Sequence, residues 1–213
     1  SVQNIGAYGS ELKDTFVSLL AIDSTTLEIV ELTSEMCQFG YRDSLFKHQP
    51  GKYAICSVTL ELSRTPKPVL IYKPLDALVG STNITLHAIR ELVIETRKSK
   101  LPDSVEHPNA GSFFKNPVVD KTHLEEIKKE FPDTPFHEVD GGYKVPAAWL
   151  IEHVAHMKGA RVGEVGTWPS QPLVIVNFGQ ADAQAVNNLA QKIIEKVKEK
   201  LKITLEREVN YIS

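Results

Sequence analysis

Apolar residues in parts of the first half of the chain follow patterns typical of strands, either as short apolar runs or in alternation with polar residues. The alternation is clearest over residues 52–63, where every second residue is apolar on one face. Apolar runs at residues 16–22 and 27–32 predict a strand and its hairpin partner, and residues 69–72 predict a short extended piece. The first half is therefore expected to be rich in strands.

The apolar period becomes helical after about residue 85. We predict helices over residues 85–98, 122–131, 146–156 and 182–201. Thr122 and Glu125 have the spacing of a capping box. Strands are expected at 136–139 and 143–145 around a turn, at 173–177, and at 203–209. The last two flank the longest helix at the spacing of a crossover unit.

The segment 109–117 has no regular period, although it carries two adjacent phenylalanines, Phe113 and Phe114. Glycine, asparagine and proline punctuate it, so we expect a loop packed against a buried surface, a place where function is often found. The change in period near residue 100 predicts a domain boundary. The predicted fold class is α+β, with a strand-rich part followed by helices on a small sheet.

Composition limits the classes of function. The chain has 213 residues, 42% of them hydrophobic, and a net charge of −3, which is typical of a globular protein and argues against a nucleic-acid partner. No apolar run reaches the roughly 18 residues of a membrane span, and no signal peptide is visible. Cys37 and Cys56 lie in apolar surroundings and are expected to be reduced core thiols of a cytoplasmic protein.

Known motifs exclude several chemistries. The sequence has no GxGxxG fingerprint, no Walker A loop and no HExxH. His153 and His156 are expected on a partly exposed helix face, so no metal site is predicted.

Four places could carry chemistry, and each has a structural alternative. Residues 4–9 form a glycine-punctuated turn that could approach a phosphate or ring, or be a plain turn. Arg42 beside Asp43 could bind an anion, or be a structural ion pair. Ser112 could protonate a carbanion, or satisfy its own turn. Glu206 and Glu208 share one face of the last strand and could equally be solvated.

Taken together, these segments resemble the MurB family of UDP-N-acetylenolpyruvoylglucosamine reductases. The matching segments follow the family in order and spacing, and they are residues 3–9, 41–46, 100–102, 109–117, 147–151 and 205–212. The block 109–117, which reads NAGSFFKNP, is the most specific of them. The region 132–145 looks like the longer, type I form of the family.

The resemblance implies a flavoenzyme of bacterial cell-wall peptidoglycan synthesis. NADPH would reduce FAD, and the reduced flavin would pass a hydride to C3 of the enolpyruvyl group, leaving an enolate to be protonated at C2. By position, the implied catalytic residues are Ser112 as the proton donor and Arg42 with Glu208 at the carboxylate. The implied substrate contacts are Tyr8, Tyr72, Lys100, Asn116 and Gln171, with Ile5 and Gly6 at the cofactor.

The resemblance also implies a division of the chain. Residues 1–102 would be part of a FAD-binding domain, residues 103–202 a substrate-binding domain, and residues 203–213 a strand that returns to a first domain. The family's N-terminal FAD-binding portion, with its glycine-rich diphosphate loop, is expected to be missing. The chain alone is therefore expected to be inactive. A UDP-sugar-binding module without catalysis, or a purely structural domain, remains the alternative.

Two positions depart from the family pattern. His137, next to Phe136, stands where type I members carry a tyrosine on the loop that closes over the substrate. Asn210 replaces an arginine that is common in the terminal strand.

Overall fold

A computed structural model describes residues 2–65, 67–81 and 84–211 of the chain. The chain forms two compact units, Ser1–Thr96 and Arg97–Ser213. The division lies within a helix, close to the change in period noted above. The domain limits expected at residues 102 and 202 stay predictions.

The first unit is built on a three-stranded antiparallel sheet. Its strands are β3 (Phe16–Asp23), β4 (Ile29–Thr33) and β5 (Tyr53–Leu60), in the order β4-β3-β5. The predicted hairpin is confirmed, because Leu20 pairs with Glu31, and β5 lies on the other side of β3, with Val58 opposite Leu19.

Shorter elements complete this unit. They are β1 (Gly6–Ala7), β2 (Ser10–Glu11), α1 (Ser34–Cys37), α2 (Leu45–His48) and most of α3 (Leu86–Lys100), together with the 3₁₀ turns Leu12–Asp14 and Leu75–Leu78. The core of the unit consists of Phe16, Leu19, Ala21, Leu32, Cys37 and Leu45.

Two expectations for this unit need correction. Cys37 is buried as predicted, but Cys56 is exposed, because β5 is solvent-exposed along nearly its whole length. Residues 69–72 have no strand partner and form coil and bends. The predicted helix α3 is confirmed, and its apolar stripe is only partly covered, because none of its described side chains is fully buried.

The second unit places α6 (Ala183–Leu201) on a four-stranded antiparallel sheet. The strands are β6 (Asn109–Ser112), β10 (Arg161–Val162), β11 (Val165–Trp168) and β12 (Gln171–Asn177), in the order β10-β11-β12-β6. Helix α6 begins after Asp182, whose side chain accepts the Ala185 N–H, and six of its apolar side chains are buried. The predicted amphipathic helix is confirmed.

A three-stranded sheet and shorter helices surround that core. The sheet consists of β7 (Val118–Val119), β8 (His137–Val139) and β9 (Gly142–Lys144), in the order β7-β9-β8, so the predicted turn between residues 139 and 143 is confirmed. Helix α4 spans Lys121–Glu130. Helix α5 (Ala147–Trp149) continues as one turn of π-helix, Leu150–Val154, somewhat short of the expected end at residue 156.

Two expectations for the second unit were wrong in detail. Helix α4 is capped by Asp120, which accepts the His123 N–H at 2.8 Å, and not by Thr122. The segment 109–117 is not all loop, because its first four residues form β6 inside the sheet. Phe113 and Phe114 are buried as expected.

The segment after α6 returns beside β6. Residues 203–206 have no strand partner of their own, but Arg207 forms an antiparallel bridge with Phe114. Since β6 is antiparallel to β12, this segment runs parallel to β12, as in a crossover, but the strand predicted at 203–209 is reduced to this one bridge. Ile212 and Ser213, at the end of the expected terminal strand, lie outside the described residues.

Candidate functional site

In the first unit, Arg42 is held against a small hairpin. Strands β1 and β2 pair Gly6 with Glu11, and we call this segment the 4–11 hairpin. The Arg42 guanidinium donates to the backbone carbonyls of Asn4, at 3.2 Å, and of Gly6. Its Nη1 lies 3.7 Å from the Glu11 carboxylate. The hairpin therefore fixes where this arginine presents its charge.

The carboxylate beside Arg42 is not the one that the sequence suggested. Asp43 accepts the Ser44 N–H at 3.0 Å and faces the His48 ring at 2.8 Å. In space, Glu11 lies beside Arg42. Sequence reasoning missed Glu11, and the signal that could have revealed it is weak, because only the chain reversal at residues 8–9 brings it next to Asn4.

Asn4 organises the hairpin from inside. It is fully buried, and its Nδ2 donates to Glu11 Oε2 at 3.0 Å and to the Gly40 carbonyl at 2.8 Å. Its Oδ1 accepts the Lys13 N–H at 3.1 Å. One buried amide thus connects the hairpin to the segment that carries Arg42.

Glu11 stays ionised in this setting. Partial burial raises the pKa of its carboxyl, but hydrogen bonds from Lys13 and Asn4 and the charges of Lys13 and Arg42 outweigh this, and the net pKa is lowered. A negative charge is therefore retained beside Arg42 throughout the neutral range.

Tyr72 packs on the same hairpin. Gly9 has φ +84°, and a Cβ placed on it would lie 2.7 Å from the Tyr72 ring and 2.6 Å from Val69. Tyr8, also in the left-handed region at φ 52°, precedes it, and Ile5 is exposed. The structure thus brings together Tyr8, Tyr72, Arg42, Ile5 and Gly6. A Cβ on Gly6 would meet Glu11 at 2.7 Å, so the hairpin itself accounts for that glycine.

In the second unit, Ser112 and Glu208 lie on neighbouring segments. Ser112 is the last residue of β6 and is exposed. The next residue, Phe113, donates its N–H to the Leu173 carbonyl and accepts the Glu208 N–H on its own carbonyl, both at 2.9 Å. The backbone next to Ser112 is therefore fixed on both sides, and Glu208 belongs to one of the two flanking segments.

Lys115 and Asn116 extend this cluster. Lys115 donates its N–H to the Glu206 carbonyl, and its ammonium lies 2.6 Å from Glu206 Oε1. Asn116 Oδ1 accepts the Ala147 N–H at 2.8 Å, at the first turn of α5. Because its oxygen is used in this way, the Asn116 amide group is oriented with its NH₂ as the remaining donor.

Gln171 and Lys100 take the remaining predicted positions. Gln171 begins β12, and its Oε1 is buried without a hydrogen-bond partner among the described residues. Lys100 ends α3, where Arg97, Lys98 and residues 101–104 line a cavity of about 450 Å³. The predicted site residues therefore divide between the two units.

His137 takes the place where a lid tyrosine was expected. It begins β8 and is exposed. The ring of Phe136 before it has its centroid 5.7 Å from that of Tyr143 and 4.7 Å from the Lys128 ammonium nitrogen.

Within the described ranges there is no grouping of three histidine, cysteine or acidic side chains that could hold a metal ion. In the same ranges, no helix is both long and apolar enough to span a bilayer.

Comparison with known proteins decides the family. The family model described as "UDP-N-acetylenolpyruvoylglucosamine reductase, C-terminal domain" matches residues 103–212, about half of the chain. The chain belongs to the UDP-N-acetylenolpyruvoylglucosamine reductase family. The predicted resemblance is confirmed.

Relatives within the reductase family cover almost the whole chain. The UDP-N-acetylenolpyruvoylglucosamine reductase of Flavobacterium johnsoniae is 45% identical over 217 residues, which is 99% of this chain and 64% of the relative. The Pseudomonas putida reductase is 43% identical over 213 residues, 98% of this chain and 62% of the relative. The chain thus spans just under two thirds of the length of these reductases.

A solved structure agrees on the fold. The reductase of Thermus caldophilus superposes with a TM-score of 0.60 at 24% identity, covering 98% of this chain and 57% of that one. At this identity the likeness concerns the fold alone, and it confirms the α+β class.

Proposed function

We propose that the chain is part of an oxidoreductase that converts UDP-N-acetylenolpyruvoylglucosamine to UDP-N-acetylmuramate in the cytoplasm, using FAD and NADPH, for cell-wall synthesis. The observation that carries the proposal is the joining of Ser112 and Glu208 through the Phe113 backbone, inside the part of the chain that the family model covers. Membership of the reductase family supports the reaction type.

Arg42 is proposed to bind the enolpyruvyl carboxylate and to stabilise the negative charge that develops beside it, and Glu208 is proposed to lie at the same carboxylate. A guanidinium held by two backbone carbonyls is pre-oriented, so it stabilises a developing anion without reorganising during the reaction. Hydride addition to one carbon of an enol ether leaves electron density on the other carbon, which must be protonated. Ser112, exposed at the end of β6, is proposed as that proton donor.

The UDP moiety is proposed to contact Tyr8, Tyr72, Lys100, Asn116 and Gln171. Lys100 offers charge, and the oriented NH₂ of Asn116 offers hydrogen bonds to diphosphate oxygens. The buried Gln171 Oε1 without a partner supports a polar ligand there, because such an atom is costly to leave unsatisfied.

FAD would supply hydride transfer when bound, and the residues present fit only part of it. Ile5 presents an exposed apolar side chain, but the 4–11 hairpin pairs only two residues on each strand, and its Glu11 N–H is already bonded to the Asp14 carboxylate. Ile5 and Gly6 are therefore proposed to touch one portion of FAD. The other donors would have to come from a further part of the protein, and the chain alone is proposed to be inactive.

The test uses this chain within a protein of its relatives' full length. NADPH oxidation should depend on UDP-N-acetylenolpyruvoylglucosamine and should yield one equivalent of UDP-N-acetylmuramate. Tight UDP binding without any turnover would instead support the alternative, a UDP-sugar-binding module.

A further inference from the structure

We infer that Glu11, together with Asn4, is a positioning residue that orients the Arg42 guanidinium for its carboxylate ligand. This inference rests on the proposed function of Arg42. Glu11 belongs to none of the candidate positions that the sequence supplied, and its role follows from the packing of the 4–11 hairpin.

The first observation is that several separate contacts hold the Arg42 side chain. Its guanidinium contacts two carbonyls of the hairpin and the Glu11 carboxylate, and only 18% of its side chain is exposed. A planar guanidinium whose neighbours lie on several sides cannot rotate without breaking a charge-assisted contact. The arginine is therefore oriented as well as placed.

The second observation is that Glu11 is itself held. Oε2 accepts from the buried Asn4 amide at 3.0 Å and lies 3.1 Å from the Lys13 ammonium, while Oε1 faces Arg42. Asn4 also presents its backbone carbonyl to Arg42. One buried residue thus fixes both the carboxylate and one of the carbonyls that Arg42 contacts.

The third observation is backbone conformation. Asn4 and Arg42 both lie in the left-handed region, at φ 52° and 53°, which is uncommon for residues other than glycine, although asparagine enters it more readily than arginine. The hydrogen bond from Arg42 to the Asn4 carbonyl joins the two residues. Both ends of the Asn4–Arg42 contact are therefore held in an uncommon geometry that presents the arginine.

A positioning role and a ligand-binding role for Glu11 predict opposite effects of its neutralisation on carboxylate binding. Glu11 is an anion, so if it contacted the ligand carboxylate directly, its neutralisation would strengthen binding by removing repulsion. If Glu11 orients Arg42, its neutralisation lets the guanidinium move, and the protein's preference for a ligand with the carboxylate over one without it falls.

The first experiment follows the Arg42 Nε–H signal by NMR in the chain without ligand. In the wild type we expect an order parameter near the rigid range of about 0.85, and in Glu11→Gln a value below about 0.6. Glu31→Gln is the matched control, since it also removes one carboxylate, bonded to Ser18 at 2.8 Å, from the same unit. Lys13→Ala should leave Arg42 ordered, because the Asn4 amide still holds Glu11 and the Glu11 carboxylate still faces Arg42. Equal order in Glu11→Gln and the wild type would overturn the inference.

The second experiment separates this inference from the proposed function. Titration with UDP-N-acetylmuramate and with UDP-N-acetylglucosamine, which lacks the lactyl carboxylate, measures the preference for that carboxylate. Glu11→Gln should reduce this preference about tenfold, at the low end of a charge-assisted hydrogen bond. If Arg42 loses order in Glu11→Gln but no variant prefers the carboxylate, the positioning holds and the proposed function of Arg42 fails.

A pH titration of the wild type covers the case in which Glu11→Gln does not fold. Because the pKa of Glu11 is lowered, Arg42 should stay ordered below the usual carboxyl range and lose order only as pH falls through the lowered pKa. An Arg42 signal that does not respond to that titration would overturn the inference.

Discussion

At the residue scale, Ser112 is the position on which the proposed chemistry depends most. It ends β6, and the residue after it is bonded to the backbone on both sides. Such a site holds a hydroxyl in place without needing that hydroxyl for stability. A serine that merely satisfied its own turn would behave differently on substitution.

The expected effect of Ser112→Ala, in a full-length protein, is confined to one half-reaction. Oxidation of NADPH should keep its rate, whereas the half-reaction that consumes the enolpyruvyl substrate should slow by roughly 10²–10⁴-fold, the usual loss of a general acid. Ser112→Cys should retain more activity, since a thiol can still donate. Stopped-flow absorbance separates the halves, and Ser104→Ala is an exposed control. Equal slowing of both halves would remove Ser112 from the mechanism.

Gly9 offers a second test at this scale, with an internal control. Gly9 and Gly80 share φ +84°, but a Cβ on Gly80 meets nothing within 4 Å, whereas on Gly9 it meets Val69 and Tyr72. Gly80→Ala should lower the free energy of unfolding only by the backbone cost of about 1–2 kcal/mol. Gly9→Ala should cost at least about 1 kcal/mol more, the range of overpacking. Denaturant unfolding measures both, and equal losses would show that Tyr72 is not seated on Gly9.

At the element scale, helices and strands were predicted most accurately where a long pattern lies within one continuous segment of the sequence. Helix α6 could be predicted because its apolar stripe and its Asp182 cap lie in one continuous segment. Strand β6 could not, because four residues carry too little period, and its partner β12 is distant in sequence. Cys56 was misplaced because alternation locates the faces of a strand, but not what covers them.

The residues of the candidate site also divide into those that a local sequence block identifies and those that only folding brings together. Ser112 and Asn116 could be identified because they stand in a compact, specific block. Glu11 could not be identified, because its contact with Arg42 depends on a chain reversal and on the buried side chain of Asn4. Local sequence also pointed to Asp43, whereas Asp43 pairs with His48 and Glu11 lies beside Arg42.

Asn116 has two roles, an observed bond to the start of α5 and a proposed contact with UDP, and two substitutions should separate them. Asn116→Ala leaves the Ala147 N–H of α5 without its acceptor and should cost about 0.5–2 kcal/mol, as for a lost helix cap. Asn116→Asp keeps that acceptor and should preserve stability, but it removes the NH₂ donor and adds a charge, so UDP affinity should fall. Asn188→Ala, on the exposed face of α6, is the control. Calorimetric titration with UDP would contradict the second role if Asn116→Asp bound as the wild type does.

At the scale of the whole molecule, the first unit has an incompletely covered sheet. β5 is an edge strand of that sheet in the described part of the chain. Several apolar side chains of β3, β5 and the segment that follows are exposed, namely Leu20, Ile55, Val58, Leu60 and Leu62. An exposed edge strand with an apolar surface promotes association.

We therefore expect concentration-dependent self-association of the chain, measured by sedimentation velocity. Leu60→Lys, on β5, should shift the equilibrium towards monomer, because a charge on an edge strand opposes pairing. Leu27→Lys, which replaces a more exposed leucine at the β3–β4 turn, should leave it unchanged. A wild-type chain that stays monomeric at high concentration would contradict the expectation.

The backbone donors that the whole chain offers also determine how tightly it should bind FAD. A flavin diphosphate requires several converging N–H donors, and we expect a hairpin of two two-residue strands, with the Glu11 N–H already bonded to Asp14, to offer too few of them. The exposed Ile5 can contact only one portion of FAD, so we expect a dissociation constant weaker than micromolar. Riboflavin, which lacks the diphosphate and adenosine, should then bind as weakly as FAD in a fluorescence titration. Micromolar or tighter binding of FAD, with riboflavin much weaker, would mean that this chain carries its own diphosphate site and that the hairpin is more than a partial contact.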